Sequence, residues 1–291
     1  MPSGYRMKIA ICGKSGLVGS KLEEMFKSKH NEVIGIRVRD NSSVEDISKQ
    51  LEKCDILINL SGTTILASWS EKYKKSLYDS RIDTTKKLVD AMSLCSEKPK
   101  LFLSASAVGI YDSIHKHDDN SNSYANDFLS KLCQDWEAEA KKAEKLNVRC
   151  VQSRFGVIYA KDGGAMAKML PPFKMGLGGK LGNGEQIVSW IHIDDLLKLI
   201  EFIIKTPDIS GSVNCTTPYP LSNKQQTAKL GKILNRPTFF SVPSFLLRLI
   251  FGDGSSVMLD SKEVYPTKLL EHQFIFNYPR FEDALKEITG L

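Results

Sequence analysis

The chain has 291 residues, of which 42% are hydrophobic and 25% are charged. This balance excludes collagen-like, disordered and disulfide-stapled proteins, and the length suits one large domain or two smaller ones. The 40 lysines and arginines outnumber the 34 acids, giving a formal net charge of +6. Such an excess is compatible with an anionic ligand such as a nucleotide and does not require nucleic acid.

The cysteines and the apolar runs indicate the compartment. The six cysteines are scattered, with no C-x-x-C pair, which predicts free thiols in a cytoplasmic protein. No run of the chain approaches the roughly 20 apolar residues that a membrane-spanning helix needs. The residues before Met7 are left out of the fold prediction, because Met7 is itself a plausible start.

The first part of the chain alternates apolar runs with amphipathic segments. The apolar runs predict buried strands at 8–12, 32–37, 56–60, 101–104 and 149–153. Apolar residues at helical spacing predict helices at 20–26, about 77–96 and about 126–146. Strands that alternate with helices predict an α/β fold, a Rossmann-type doubly wound parallel sheet that is covered on both faces.

After residue 154 the pattern changes. Residues 162–189 contain seven glycines and two prolines, so turns are predicted to dominate there, as in a binding segment or a lid. A helix is predicted at 191–205, a strand at 211–215 and a last helix at 281–288. Two domains are therefore expected, a core of residues 7–161 and 190–215 and a smaller substrate-side cap of residues 162–189 and 216–291.

Three glycines separate the first strand from the first helix. Gly13, Gly16 and Gly19 have the spacing G-x-x-G-x-x-G. The first permits a tight turn, the second lets the backbone approach a diphosphate, and the third lets the helix lie close to the sheet. The helix start adds unpaired N–H groups and the positive end of its dipole. In this context the loop predicts a dinucleotide site, with a purely structural turn as the alternative.

Cofactor choice depends on the end of the second strand, where an acid binds the ribose 2′-hydroxyl of NAD. The sequence there contains Arg37 and Arg39, followed by Asp40. Guanidinium groups bind phosphate oxygens in a fork geometry, so the arginines favour NADP with its 2′-phosphate. Two alternatives stay open, because the arginines can be solvated charges at a strand end and Asp40 can bind the hydroxyl of NAD.

Several motifs together resemble a known family. Besides the glycine loop they are residues 58–62, 80–85, 104–111, 127–129, 136–137, 154–157, 163–166, 176–179, 190–195 and 274–279. In this order they resemble the extended branch of the short-chain dehydrogenase/reductase superfamily, and within it the NAD-dependent epimerase/dehydratase family whose bacterial members are often labelled cell-division-inhibitor-like. The resemblance covers nearly the whole chain from Lys8. It implies a Rossmann core that binds NADP(H) or NAD(H), with a small C-terminal domain over the substrate cleft.

The resemblance also implies which residues bind the cofactor. Leu60 and Ser61 are expected along the adenosine, Arg81 is expected to reach the cofactor from the following helix, and Val157 is expected near the nicotinamide. An ordinary surface charge is the alternative for Arg81. The full set of expected cofactor-binding residues is Gly13, Ser15, Gly16, Leu17, Val18, Gly19, Arg37, Arg39, Leu60, Ser61, Gly62, Arg81, Ser104 and Val157.

The usual catalytic pair of this superfamily is missing. Its chemistry needs a tyrosine acid/base and a lysine four residues later on the same helix face, which lowers the tyrosine pKa. No tyrosine of this chain has a lysine at that distance. Counting back from Glu137, the two positions hold Leu129 and Cys133. Leucine cannot donate a proton, so the standard mechanism is not available.

Ser106 and Tyr111 are the remaining catalytic candidates. Both lie near the end of a predicted strand, where clefts open in α/β sheets. Ser106 matches the substrate-orienting serine of the superfamily, and a hydroxyl that binds the local backbone is its alternative. His192 and Asp194 have no G-x-S-x-G nucleophile to serve, so a hydrogen-bonding role at a helix start is expected for them.

Two functions stay open. The first is an NADP-dependent oxidoreductase or epimerase-like enzyme that acts on an unidentified small molecule, and the second is a catalytically silent NADP(H)-binding sensor or scaffold. The glycine-rich segment and the second domain favour an enzyme. No metal site is predicted, because His115 and His117 lack a partner at ligand spacing. No nucleic acid or membrane partner is expected, and the resemblance makes a homodimer plausible.

Overall fold

The computed structural model describes residues 6–38 and 41–291. In chain order its strands are β1 (Lys8–Cys12), β2 (Glu32–Ile36), β3 (Ile56–Asn59), β4 (Leu101–Ala107), β5 (Lys116–His117), β6 (Arg149–Phe155), β7 (Val157–Ala160), β8 (Gly163–Gly164), β9 (Gly179–Leu181), β10 (Ile187–Val188), β11 (Trp190–His192), β12 (Gly211–Cys215), β13 (Leu221–Ser222), β14 (Phe240–Val242) and β15 (Glu263–Val264). Its α-helices are α1 (Leu17–Ser28), α2 (Val44–Leu51), α3 (Glu71–Asp79), α4 (Ile82–Leu94), α5 (Phe128–Lys141), α6 (Met166–Lys174), α7 (Ile193–Lys205), α8 (Asn223–Leu234), α9 (Ser244–Phe251), α10 (Ser256–Leu259), α11 (Thr267–Glu271) and α12 (Phe281–Thr289).

Six of the strands form one parallel sheet in the order β12-β6-β4-β3-β1-β2. Because β1 lies between β2 and β3, the strand order reverses there, and the loop after β1 lies at a topological switch point. The predicted Rossmann-type doubly wound parallel sheet is confirmed. None of the helices in the described residues is long and apolar enough to cross a membrane.

Each face of this sheet has its own hydrophobic core. Ile9 and Ile11 of β1 are buried on the face covered by α1 and α7, whereas Ala10 and Cys12 are buried on the face covered by α2 and α4. Successive side chains of a strand point to opposite faces, so a strand that is covered on both sides is apolar at every position. This explains why the sequence shows continuous apolar runs.

The predicted helix at 77–96 is in fact two helices, because α3 ends at Asp79 and α4 begins at Ile82. Ser80 and Arg81 in the break both bind Thr63, which lies in the loop after β3. The Thr63 N–H donates to Ser80 Oγ at 3.1 Å, and Arg81 Nη2 donates to the Thr63 carbonyl at 2.9 Å. Contacts with a distant loop therefore stabilise an interruption that the local sequence pattern does not show.

The prediction that turns dominate residues 162–189 was wrong for its central part. Met166–Lys174 forms α6, with Pro171 and Pro172 inside it. Its Met166, Leu170 and Phe173 side chains are buried in the core of the cap, and this burial stabilises the helix despite two missing N–H donors.

A second sheet, β11-β7-β8, contributes to the same cap core. Tyr159 of β7 and Trp190 of β11 both pack against Phe281 of α12, with ring centroids 5.4 and 5.1 Å away. Tyr159 and Trp190 thus join the cap core, whereas Ile158 and Ile191 of the same strands pack in the Rossmann core, where the predicted domain limits placed both strands. The limits themselves stay a prediction.

Candidate functional site

A cavity of about 730 Å³ opens at the switch point, where the carboxyl ends of β1, β2 and β3 meet. The glycine loop, the end of β2 and the loop after β3 line it. The lining residues are Cys12, Gly13, Lys14, Ser15, Gly16, Gly35, Ile36, Arg37, Val38, Gln50, Leu60, Ser61 and Gly62. Open α/β sheets bind their ligands in such a crevice, so we name it the nucleotide cavity.

Two glycines of the loop are required by close approaches of the backbone. Gly13 has φ of +83°, and a Cβ atom there would lie 2.7 Å from the carbonyl carbon of Leu60. A Cβ atom at Gly19 would collide with the carbonyl oxygen of Gly13. Side chains at these positions would separate the loop from the end of β3 and from the start of α1.

The start of α1 is open to an anion. Gly16 is its N-cap residue and makes no side-chain capping hydrogen bond, and no acid lies in the first turn. Ser15 is exposed beside it, whereas Leu17 and Val18 are half-buried. The Leu17 side chain packs against the backbone of Gly163, where a Cβ atom would lie 2.8 Å from Leu17 Cδ1. The first N–H groups of α1 are therefore available to phosphate oxygens.

Two basic side chains border the nucleotide cavity. Arg37 follows β2 directly, is exposed and lines the cavity. Sequence reasoning missed Lys14, although it lies inside the glycine motif. The Lys14 side chain lies across Gly35 of β2, and a Cβ atom at Gly35 would be 2.9 Å from Lys14 Cε. Lys14 Nζ donates a hydrogen bond to Glu23 Oε1 at 2.9 Å. The predicted ligand Arg39 and the neighbouring Asp40 lie outside the described residues.

Leu60, Ser61 and Gly62 form the third wall of the cavity. Asn59 holds this loop, because its Oδ1 accepts hydrogen bonds from the N–H and the hydroxyl of Ser61. Arg81 lies behind the wall, and a Cβ atom at Gly62 would be 2.9 Å from Arg81 Cζ. Burial lowers the pKa of Arg81, which donates to the carbonyls of Thr63 and Leu77. In this structure Arg81 supports the loop rather than lining the cavity.

The serines of β4 are buried. Ser104 is opposite Asn59 in the sheet, and its Oγ is 3.4 Å from the carbonyl oxygen of Ala105. Ser106 lies two residues further along, and its hydroxyl donates to Glu137 Oε1 at 2.6 Å. Ser106 is thus bound to a carboxylate at the carboxyl edge of the sheet, and not to local backbone.

Tyr111 is enclosed. It is 0% exposed, and its hydroxyl lies 2.9 Å from Asn214 Oδ1 and accepts from Arg154 Nη1 at 2.6 Å. Its ring stacks on His117, with centroids 4.4 Å apart. Burial raises the pKa of Tyr111 to about 12. The expected catalytic role conflicts with this geometry, because the hydroxyl is already bonded and has no access to a substrate.

Sequence reasoning gave no chemical role to Arg154 and Glu137, which form the centre of this region. Arg154 Nε and Nη2 donate to the two oxygens of Glu137 at 2.8 and 2.7 Å, a bidentate pair. Burial opposes the charge of Arg154, but the hydrogen bonds to Glu137 raise its pKa. Ser106, Tyr111, Glu137 and Arg154 are named the Arg154 cluster below. The cluster forms because β6, which carries Arg154, pairs with β4, which carries Ser106, and because α5 places Glu137 beside both.

The two positions of the missing dyad lie on α5 and face inward. Leu129 Cδ2 is 2.6 Å from where a Cβ atom at Gly109 would lie, so leucine and glycine pack against each other. Cys133 is 1% exposed, and burial raises the pKa of its thiol to about 12. Neither residue supplies an acid or a base near neutral pH.

His192 caps α7. Its Nδ1 accepts a hydrogen bond from the Asp194 N–H at 3.2 Å, and its Nε2 is 2.9 Å from Glu287 Oε2. The three side chains are close enough to be considered as metal ligands, but both ring nitrogens of His192 already have partners within the protein.

Val157, expected near the nicotinamide, lies half-buried in β7, and its N–H donates to the carbonyl of Ser189.

Comparison with known proteins yields two family matches. Residues 9–215 match the NAD dependent epimerase/dehydratase family. Residues 242–288 match a domain of unknown function, DUF1731. The second match covers much of the cap beyond α8.

The chain is similar to proteins from plants, bacteria and humans. It is 35% identical to the chloroplastic epimerase family protein SDR39U1 homolog of Arabidopsis thaliana, over 97% of this chain and 87% of that protein. It is also 35% identical to an epimerase family protein of Staphylococcus haemolyticus, over 96% and 97% of the two chains. The crystal structure of human epimerase family protein SDR39U1 (isoform2) with NADPH has a TM-score of 0.90 and 29% identity, covering 98% of this chain and 99% of that chain.

Proposed function

The chain belongs to the NAD dependent epimerase/dehydratase family, and from that premise we propose that it is an NADPH-dependent oxidoreductase or epimerase-like enzyme acting on an unidentified small molecule. The observation that carries the proposal is the nucleotide cavity, with its glycine loop, its uncapped helix start and two basic side chains. The human relative, which is similar over nearly its whole length, was crystallised with NADPH.

The residues that line the cavity fit the diphosphate of a dinucleotide. Cβ atoms at Gly13 and Gly19 would push against backbone, so only glycine keeps the loop as tight as it is. The resulting backbone approach and the free N–H groups at the start of α1 provide neutral donors and a positive dipole end for phosphate oxygens.

The charges around the cavity favour NADPH over NADH. Arg37 and Lys14 supply positive groups beside the end of β2, where the 2′-phosphate of NADPH would lie. Lys14 keeps donors for a phosphate after binding Glu23, because an ammonium group has three.

Within the Arg154 cluster, Ser106 is the residue whose oxygen keeps an acceptor position, although its side chain is as buried as its neighbours, at 2% exposed, so a substrate hydroxyl must displace neighbouring side chains to reach it. When bound, the nicotinamide supplies or accepts a hydride. The Ser106 hydroxyl donates to Glu137, which leaves its oxygen as an acceptor for a substrate hydroxyl. As the substrate hydroxyl gives its proton to Ser106 Oγ, Ser106 passes its own proton to Glu137 Oε1. Arg154 keeps the carboxylate oriented for this transfer through its two hydrogen bonds.

A catalytically silent NADPH-binding protein is the second candidate. The observation in its favour is the inward packing of Leu129 and Cys133, which fills the place of the usual acid/base pair with apolar contact. On this alternative the Arg154 cluster is only a structural support, and NADPH is sensed rather than consumed.

Titrations with NADPH and NADH test the cofactor. We expect Arg37→Ala to weaken NADPH binding by about 10- to 100-fold, the cost of a hydrogen bond to a charged group, and to leave NADH binding unchanged. Lys72→Ala, which removes an exposed positive charge on α3, is the matched control and should alter neither. Equal losses for both nucleotides in Arg37→Ala would exclude the proposed 2′-phosphate contact.

A turnover assay separates the two candidate functions. Substrates are screened by the change in NADPH absorbance, and Ser106→Ala is then compared with the wild type. A Ser106 proton transfer predicts a loss of about 10²- to 10⁴-fold in kcat with unchanged NADPH affinity. An unchanged kcat in Ser106→Ala would refute the role of Ser106, and NADPH binding without any turnover would favour the silent protein.

A further inference from the structure

A group of large apolar side chains is exposed on the cap. They belong to the segment before β9 and to the segment that contains β14 and α9, and they are Met175, Leu177, Phe239, Phe240, Phe245, Leu246, Leu249 and Ile250, named the apolar face here. Phe239, Phe245 and Leu249 are 77%, 70% and 79% exposed. Apolar side chains concentrated in this way mark an interaction surface.

The two segments are joined by backbone pairing. Phe240 of β14 lies opposite Gly179 of β9, and the Gly182 N–H donates to the Val242 carbonyl at 2.8 Å. The rings of Phe239 and Phe240 are in contact, with centroids 4.6 Å apart.

Helix α9 presents its apolar side to solvent. Phe245 and Leu249 are four residues apart, as are Leu246 and Ile250, so each pair is stacked along the helix. Leu247 is the only residue of α9 that is buried. A surface helix of a globular protein normally buries its apolar stripe, so the exposed stripe of α9 indicates a binding surface for another molecule or a membrane.

The two sequence segments that carry the apolar face are rich in basic residues. The sequence segments 163–184 and 223–252 contain eight basic residues and no acid, namely Lys168, Lys174, Lys180, Lys224, Lys229, Lys232, Arg236 and Arg248. Acids border both segments: Asp162 precedes the first, and Glu185 and Asp253, which follow the two segments, are paired with Lys224 and Lys74. Lys229 is also paired, with Glu282 of α12. Because the whole chain has 40 basic residues against 34 acids, this distribution is strongly biased.

These features favour an anionic lipid surface, rather than a second copy of the chain or a peptide, as the binding partner of the apolar face. A second copy meeting the same face would bring the two basic rims together, which is repulsive. A peptide ligand needs a groove, whereas Phe239, Phe245 and Leu249 project from the surface. Projecting aromatic and aliphatic side chains with basic neighbours are the features of helices that lie in a membrane interface.

We propose that the apolar face docks the protein on an anionic lipid bilayer. Phe245 and Leu249 enter the boundary between headgroups and acyl chains, while Lys174, Lys180 and Arg248 approach the lipid phosphates. The prediction of no membrane partner considered a spanning helix, and a peripheral helix needs no such length. The proposal is independent of the cofactor and of any catalysis.

Sedimentation of the full chain with vesicles tests this proposal. The vesicles contain either phosphatidylcholine alone or phosphatidylcholine and phosphatidylglycerol in equal amounts. We expect binding to the anionic vesicles and at least about tenfold weaker binding to the neutral ones, because only a surface of net negative charge attracts the basic side chains. Equal binding to both, or binding to neither, overturns the proposal.

Substitutions locate the contact. Phe245→Ser with Leu249→Ser should reduce binding to the anionic vesicles by at least about tenfold, since two large apolar side chains no longer enter the interface. The control is Leu94→Ser with Ile114→Ser, which removes two exposed apolar side chains elsewhere and should leave binding unchanged. Equal binding by both double variants overturns the proposal, and so does a dimer in sedimentation equilibrium that is lost only in the Phe245→Ser/Leu249→Ser variant.

Discussion

The nucleotide cavity and the Arg154 cluster lie at the same edge of the sheet, and they differ in what their polar groups leave unbound. In the cavity, the first N–H groups of α1 have no side-chain cap and Arg37 is exposed. In the cluster, Arg154 and Glu137 bind each other and Tyr111 is fully enclosed. The first region is organised to receive a charged ligand, whereas the second is bonded within itself, apart from the acceptor side of Ser106.

Removing Arg154 is the most severe test of this difference. Arg154→Ala leaves the half-buried Glu137 carboxylate without its partner, and we expect the free energy of unfolding to fall by about 3 kcal/mol in urea denaturation. Lys49→Ala, which breaks the exposed pair with Asp46, should cost less than about 1 kcal/mol. If the two variants cost the same, the cluster is not the structural element described here.

The glycine loop is tested by Gly13→Ala. This substitution adds a Cβ against the Leu60 carbonyl and also needs positive φ, so we expect a loss of about 2–4 kcal/mol in stability. NADPH binding should weaken as well. Gly290→Ala is the control, because Gly290 has φ of +72° with nothing within 4 Å of its Cβ position, and it should cost about 1 kcal/mol. A Gly13→Ala variant no less stable than Gly290→Ala would show that the close approach is not important.

Tyr111→Phe distinguishes a structural hydroxyl from a catalytic one. Loss of the bonds to Arg154 and Asn214 should lower the free energy of unfolding by about 1–2 kcal/mol at neutral pH. NADPH affinity and, once a substrate is known, kcat should stay near the wild-type values. A large fall in kcat with unchanged stability would instead restore Tyr111 as the proton donor.

The same variant has a specific pH dependence. The pKa of Tyr111 is raised to about 12 in the folded protein from an ordinary value of 10.0, so the unfolded chain loses this proton first. The contribution of Tyr111 is complete below pH 10 and is lost as pH rises toward 12. Wild-type stability should therefore fall more steeply than that of Tyr111→Phe in this window, and parallel curves would show that the hydroxyl is not buried in solution.

The nucleotide cavity was predictable because the sequence patterns that indicate it are local. The strand Lys8–Cys12 and the glycine loop depend on residues adjacent in sequence, and both are found as expected. The helix after the loop begins at Leu17, as the prediction of a helix start near Gly16 required, although the apolar spacing alone marks only residues 20–26. Lys14 was overlooked because it reaches the end of β2 only by lying across Gly35 of that neighbouring strand, a contact that the local sequence does not show.

The Arg154 cluster was not predictable from the sequence. Glu137 lies on α5 and Arg154 on β6, and their contact depends on how the helix packs against the sheet. The same limit explains the break at Ser80 and Arg81, which bind the distant Thr63. Helix α6 was missed because Pro171 and Pro172 indicate turns locally, whereas burial of the helix in the cap core decides the outcome.

Phosphorus NMR of NADPH during titration with the protein tests the central claim most directly, because the 2′-phosphate has its own resonance. We predict that this resonance shifts and broadens with the wild-type protein, together with the diphosphate signals, as the phosphate meets Arg37 and Lys14. In Arg37→Ala the diphosphate signals should still broaden while the 2′-phosphate changes less. Diphosphate binding with an unperturbed 2′-phosphate, or no binding of NADPH, would contradict the account.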